Sequence, residues 1–211
     1  MTQRPKILIA LPTMGELHVY LAMQIMGWLT KAQSGGDIGI MIYPSVCITP
    51  VDEARNMLVQ EFLKTDCTHL LFIDSDTIPP LDALDKLLSA DKDIISAITP
   101  IVEYDAARDG KNDSNGFYKK WNCVSKETKT FVQPDTGVVE IMGCGSACVL
   151  IKRQVFEKIT KPYYRFRYED DNGKPCYVGE DVQFIAKATQ AGFKSYADTS
   201  IKCGHYKPII W

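Results

Sequence analysis

Two carboxylates flanking one small residue, Asp74-Ser75-Asp76, follow directly on the apolar run Leu70-Leu71-Phe72-Ile73. Ligands of α/β sheets bind outside the carboxyl ends of strands, and two acids placed there repel each other unless a cation or sugar hydroxyls occupy the space between them. The chemistry this suggests is a divalent metal bridging to a phosphate. A plainer role is to cap the helix whose start Pro79-Pro80 marks, since Asp is a good N-cap and acids favour a helix N-terminus. A cap needs only one acid.

Other stretches invite chemistry. Gly179-Glu180-Asp181 precedes a helical stretch, Val182 to Gln190, that ends at Gly192. Its acids could cap that helix or take a proton from a substrate hydroxyl. Cys203-Gly204-His205-Tyr206-Lys207 places a histidine in a segment too polar and Gly-rich for a core strand, which suits either a metal ligand or a satisfied interior group. His18, among helix residues, and His69, at a strand entry, read as structural. Pro12-Thr13-Met14-Gly15 follows the first strand and opens a helix, so its backbone N–H groups could receive a phosphate or a base edge. It is neither a G-x-G-x-x-G nor a P-loop pattern, which counts against a dehydrogenase or kinase. Gly143-Cys144-Gly145-Ser146 reads as a flexible loop before a strand, or as a simple bulge.

These residues need elements to position them. Apolar runs at about 6–11, 38–43, 69–73 and 93–98 predict strands, and they alternate with helical periodicity over Glu16 to Ala32, Val51 to Lys64 and Leu81 to Leu88. That alternation predicts βαβ units and a largely parallel sheet with helices covering its faces. Residues 103–137 are polar and broken by short aromatic pieces such as Phe117-Tyr118, which predicts an insertion of hairpins and loops with a functional role. Strands return at Val138 to Met142 and Ala147 to Ile151, and Arg153 to Ile159 begins a helix. Glu169-Asp170-Asp171-Asn172-Gly173 predicts a hairpin turn, because Asn-Gly readily takes positive φ. The ligand spacing of an EF-hand is absent there.

A chain of 211 residues with 45% hydrophobic and 24% charged residues and a net charge of -2 suits one soluble domain with a sizeable core. It offers no strongly basic field for nucleic acid. The first apolar run begins too early for a signal peptide, and no apolar run reaches bilayer length, so a cytoplasmic protein is expected. Seven cysteines without paired spacing predict reduced thiols. A zinc site from Cys144, Cys148, Cys203 and His205 is conceivable but lacks a close C-x-x-C knuckle.

The order of these features over nearly the whole chain resembles a known family. A first strand ending in Pro12-Thr13, a helix with Ala54-Arg55-Asn56, Asp74-Ser75-Asp76, the Gly143 to Ser146 loop followed by Ile151-Lys152-Arg153, Gly179-Glu180-Asp181, and the late Cys203-Gly204-His205 are similar to compact nucleotide-sugar glycosyltransferases of the GT-A fold. The likeness is greatest to small family 2-like members of bacteria and their phages.

The resemblance implies a Rossmann-like, mostly parallel α/β sheet with helices on both faces and a smaller antiparallel acceptor-side portion. Residues 1–100 would form the nucleotide-sugar-binding half of one domain, and residues 101–211 the acceptor and catalytic half. Asp76 and His205 would hold Mn²⁺ or Mg²⁺, with Asp74 contacting the ribose or reaching the metal through water. Pro12 and Thr13 would contact the nucleobase, Arg55 would pair with Asp74 or the base, and Lys207 would neutralise a phosphate oxygen. Asp181 is the first choice for the base that deprotonates the acceptor hydroxyl, with Glu180 second or binding a sugar hydroxyl. The expected reaction moves a sugar from a UDP-sugar to an acceptor hydroxyl with inversion. If no base lies in line with the anomeric carbon, retention is the better expectation.

The acceptor stays open between a saccharide, a lipid-linked sugar, a protein and a modified DNA base of phage type. For DNA, Lys119, Lys120 and Trp121 would supply phosphate contact and stacking, although they also suit a solvated hairpin face. A nucleotidyltransferase would use similar acids but normally carries a basic glycine-rich loop near its first strand, which Met14-Gly15-Glu16 does not provide. In a non-catalytic nucleotide-sugar-binding module, Asp181 would only cap its helix.

Overall fold

The computed structural model describes residues 4–35, 37–109, 115–171 and 174–206. Lys207 and the expected turn residues Asn172 and Gly173 lie outside the described residues. In chain order the elements are β1 (Lys6–Thr13), α1 (Val19–Gly35), β2 (Gly39–Val46), α2 (Val51–Lys64), β3 (His69–Ile73), β4 (Thr77–Ile78) and α3 (Ala83–Ser89). They continue with β5 (Ile94–Ile98), β6 (Pro100–Asp109), β7 (Asn115–Trp121), β8 (Cys123–Ser125), β9 (Val138–Cys144), β10 (Cys148–Lys152) and α4 (Arg153–Lys158). The last are β11 (Arg167–Asp171), β12 (Lys174–Val178), α5 (Glu180–Gln190), β13 (Ser195–Lys202) and β14 (Gly204–His205).

The central sheet has eight strands in the order β2-β1-β3-β10-β5-β13-β9-β8. β2, β1, β3, β5, β13 and β8 run one way, and β10 and β9 run against them. Both faces are covered, which explains why Ile7 to Leu11 and Leu70 to Ile73 are continuously apolar. Leu8, Ala10, Leu70 and Phe72 pack with Leu58 and Phe62 of α2, Phe156 of α4 and Phe184 of α5. Ile7, Ile9, Leu71 and Ile73 pack with Leu21, Ile25 and Trp28 of α1 and Leu84 and Leu87 of α3. No helix among the described residues is long and apolar enough to cross a membrane.

Three departures from the expected layout shape the site. β10 enters antiparallel between β3 and β5, so the Gly145 to Ala147 turn before it lies at the carboxyl end of β3, where Ala147 O accepts from Asp74 N at 3.0 Å. Helix α1 begins at Val19 rather than Glu16. The Thr13 hydroxyl closes a turn there by donating to Glu16 O and accepting from Gly15 N, and Gly15 supplies a φ of 106° that L side chains rarely adopt. The polar insertion divides in two: β6 and β7 form a separate hairpin, whereas β8 joins the edge of the main sheet through β9. β11 and β12 form a second hairpin, with Tyr168 opposite Tyr177.

Candidate active site

A cavity of about 480 Å³ opens at the carboxyl ends of β1, β3 and β5, the position at which α/β sheets bind ligands. Its wall contains Pro12, Thr13, Arg55, Asp74, Asp76, Glu180, Asp181 and His205. Segments scattered through the sequence thus meet in one place. Lys119, Lys120 and Trp121 do not line it. They surround a separate cavity of about 330 Å³ with Phe131, where Lys119 Nζ lies over Trp121 and Lys120 is paired with Glu103.

Asp74 and Asp76 do not cap α3, because β4 intervenes and Asp82 occupies the N-cap position. They diverge instead. Asp74 Oδ1 accepts from Arg55 Nη2 at 2.9 Å, and the same guanidinium donates through Nε to Glu180 Oε1 at 3.2 Å. Arg55 is only 4% exposed and its guanidinium carbon lies 5.4 Å from the centre of the Phe72 ring, so it meets Glu180 in a dry setting, whereas the Asp74 side chain is 32% exposed. Its remaining nitrogen, Nη1, is buried without a hydrogen-bond partner among the described residues. Desolvation pulls the guanidinium pKa down, but Asp74, Tyr164 and Glu180 outweigh it and hold the pKa above its ordinary value.

Asp76 faces the end of the chain. β14 pairs with β4, setting His205 opposite Thr77, and Tyr206 N donates to Asp76 O at 2.8 Å. His205 Nδ1 lies 2.8 Å from Pro100 O and Nε2 lies 3.2 Å from Asp76 Oδ2. A carbonyl can only accept, so Nδ1 carries the proton and Nε2 presents either a lone pair or a second proton to the carboxylate. His18, expected to be structural, contributes to this arrangement from behind: its N–H donates to Ser75 O and its ring packs against Tyr206.

The two acids that open α5 have separated tasks. Gly179 is the N-cap and no side chain caps the helix. Glu180 is buried against Arg55, and its pKa is raised first by desolvation and next by the charge of Asp181, with Arg55 opposing both. Asp181 Oδ1 accepts from Val182 N at 2.7 Å. Desolvation lifts its pKa above the ordinary carboxylate value, opposed by that amide and by Arg55. An Asp held partly desolvated in a cavity wall suits proton abstraction better than one locked in an ion pair.

Thr13 lines the cavity, but its hydroxyl is committed to the turn before α1 and its carbonyl accepts from Cys47 N. A base could therefore meet Pro12 and the surface of Thr13, not a free Thr13 hydroxyl. Sequence reasoning missed Asn122, whose Oδ1 accepts from Thr99 N and whose Nδ2 donates to Gly145 O, tying the junction of β5 and β6 to the loop before β10. Gly145 faces Asp181: a Cβ placed there would meet Asp181 Oδ2 at 3.5 Å. No local pattern marks Asn122, since its partners come from two distant segments. The zinc arrangement is not formed: the cysteines are free thiols, Cys144 hydrogen-bonds with Cys123 and Cys148 with Cys203, and His205 turns to Asp76. Among the described residues no group of three or more His, Cys, Asp or Glu could hold a metal, which leaves Asp76 and His205 as a pair.

No family model and no curated protein matches the chain. Among solved structures, A197 from STIV aligns with 96% of this chain and 86% of that one, at 22% identity and a TM-score of 0.60. The structure of GalNAc-T7 with UDP, GalNAc and Mn²⁺ aligns with 97% of this chain and 43% of that one, at 10% identity and a TM-score of 0.53. The inositol-1-phosphate CTP transferase from T. maritima covers 98% of this chain and 91% of its own at 8% identity, but a TM-score of 0.49 carries no weight for either reading. The first two alignments establish the fold: the chain has a GT-A-like α/β architecture.

Proposed function

We propose that this chain is a metal-dependent glycosyltransferase that moves a sugar from a nucleotide-sugar, a UDP-sugar, to an acceptor hydroxyl with inversion. The observation that carries this reading is that Asp181 and the Asp76–His205 pair line one cavity at the carboxyl ends of the sheet. GalNAc-T7, which shares the fold, was crystallised with UDP, GalNAc and Mn²⁺.

The residues fit a divalent ion. With Nδ1 protonated towards Pro100 O, the Nε2 lone pair and Asp76 Oδ2 face each other 3.2 Å apart, close to the roughly 3.0 Å between adjacent ligands of an ion held at about 2.1 Å. A proton or a cation must occupy that space. Two protein ligands suffice for an ion that also takes substrate phosphate oxygens, and bound Mn²⁺ or Mg²⁺ would neutralise the developing charge on the departing diphosphate.

Asp181 accepts the acceptor hydroxyl proton as that oxygen bonds to the anomeric carbon, and the bond from that carbon to the diphosphate oxygen breaks. Glu180, bound to Arg55, keeps the guanidinium in place rather than serving as the base. Arg55 in turn fixes Asp74 for a ribose hydroxyl or a metal-bound water. Pro12 and Thr13 border the nucleobase, and Lys207, beyond the described residues, would neutralise a phosphate oxygen. On this reading the chain is one domain working in the cytoplasm.

Calorimetry with UDP tests the metal pair. Mn²⁺ should strengthen UDP binding to the native protein, and Asp76→Ala or His205→Ala should abolish that gain while thermal unfolding stays cooperative. Equal Mn²⁺-dependent affinity in both variants would overturn the assignment.

A further inference from the structure

The β11–β12 hairpin has two chemically different faces. Tyr168 and Tyr177 are directly opposed across its strands, so both project to the same side. Phe166, two residues before Tyr168, joins them: its ring stacks on Tyr177 at 5.3 Å between centroids, and Tyr168 meets Tyr177 edge-on at the same separation. Arg165 and Arg167 line a different cavity with Gln183 and Lys187. The aromatic face is uncovered, with Tyr168 75% and Tyr177 54% exposed. Neither tyrosine belongs to the two hydrophobic cores.

This face adjoins the cavity. β12 ends at Val178, and Gly179 alone separates it from the Glu180-Asp181 pair that opens α5. Phe166 N donates to Asp52 Oδ2 beside Val51 of the cavity wall, at the long distance of 3.5 Å. The Tyr177 phenol is held above its ordinary pKa, first by desolvation and then by the charges of Glu180, Tyr168, Asp52 and Asp181.

We propose that Phe166, Tyr168 and Tyr177 form the stacking platform for a pyranose ring of a saccharide acceptor, an assignment that rests on the glycosyltransferase reading above. A pyranose presents a face of C–H groups to an aromatic ring and a rim of hydroxyls to phenols and carboxylates. The platform offers both kinds of contact on the hairpin that leads into the helix carrying Asp181. At about 150–250 Å² for each whole aromatic side chain, its partly exposed rings present roughly 300 Å², well short of the roughly 800 Å² per partner of a stable protein interface. That area matches one or two sugar rings.

Saturation-transfer NMR with maltotriose, cellotriose and chitotriose, on protein saturated with Mn²⁺ and UDP, tests the platform. At least one trisaccharide should bind. Tyr177→Ala and Tyr168→Ala should each weaken it about tenfold, equivalent to roughly 1.4 kcal/mol, Tyr177→Phe should retain most of the affinity, and UDP affinity should change less than twofold. Tyr168 is exposed enough that its truncation does not threaten the fold, and the amide spectrum of each variant checks this. Three results would overturn the proposal: no trisaccharide binds the wild type, both alanine variants bind as tightly as the wild type, or UDP affinity falls in place of saccharide affinity, which would make the platform a nucleobase shelf. Failure of the glycosyltransferase reading appears separately, as loss of Mn²⁺-supported UDP binding in the wild type. A trisaccharide that still binds and still depends on the two tyrosines would support the platform even then.

Discussion

The floor and the rim of the cavity are built on different physical terms. On the floor, the buried Arg55 and Glu180 pair with the partly exposed Asp74 at the ends of α2, α5 and β3, and the strand beneath Asp74 is wholly buried from Leu70 to Ile73. The rim is reached by Ile101 of β6, whose hairpin with β7, like β11–β12, is separate from the main sheet, and these hairpins carry exposed aromatic residues such as Phe117, Tyr168 and Tyr177. Isolated hairpins are marginally stable, whereas charges held on a packed sheet keep their geometry. On the function proposed above, the difference suits a division of labour between fixed electrostatics at the acids and an adaptable surface for the acceptor.

The sharpest way to break this comparison is at Asp181. Asp181→Asn keeps an oxygen for Val182 N and removes the proton acceptor, so transfer should fall about 10²–10⁴-fold with UDP and Mn²⁺ binding retained. Glu180→Gln should instead act through stability and the placement of Arg55. If Asp181→Asn transfers sugar at the wild-type rate with chemistry rate-limiting, while Glu180→Gln binds donor but is inactive, the two roles are exchanged. The same variant carries a stability signature. Because burial raises the folded pKa of Asp181 above its ordinary 3.8, the folded state binds that proton more tightly than the unfolded state. The stability it contributes is therefore complete below 3.8 and lost as pH rises through the folded value. Asp181→Asn should thus melt higher than wild type near neutral pH, with the advantage vanishing in acid.

Arg55→Met tests the floor directly. Removing one member of a buried ion pair typically costs about 3–5 kcal/mol; here Glu180 is left buried without its partner, while the partly exposed Asp74 is screened by solvent, so the loss should fall at the low end of that range. Urea unfolding should show a loss of that order near neutral pH. The loss should shrink as pH falls, because the stranded carboxylates can then take up protons. A loss below about 0.5 kcal/mol would mean that the chain of ion pairs does not organise the floor.

The smallest effect belongs to the rim away from the cavity. Lys119→Ala removes a cation lying over Trp121, and stability should change by no more than about 0.5 kcal/mol, with trisaccharide affinity unaltered. Hydrogen exchange should sharpen the distinction between the hairpins. Amides near Ile101 and Asn122, which border the cavity, should slow when UDP, Mn²⁺ and trisaccharide are added, while those near Phe117 change little. Uniform protection along β6–β7 would extend the acceptor surface over the whole hairpin.

Much of the fold was legible because it is written in local periodicity. The apolar runs of β1, β3 and β5 and the helical spacing of α2 required no distant information, and Asp74 and Asp76 were visible as acids at a strand end. The antiparallel entry of β10 had no such signature, since its run Cys148 to Ile151 is equally apolar in either direction when both faces are buried. The contacts that assign tasks were also invisible. Arg55 meets Glu180 across 125 residues with no local signal, and the meeting of His205 with Asp76 across 129 was implied by the family resemblance alone, not by residue spacing. Local composition settles which residue types end the strands and open the helices. That Arg55 engages Glu180 and leaves Asp181 to the cavity, and that β14 carries His205 to Asp76, follows from the folded arrangement. Such pairings arise from closure of long loops around a packed sheet, which residue spacing does not encode.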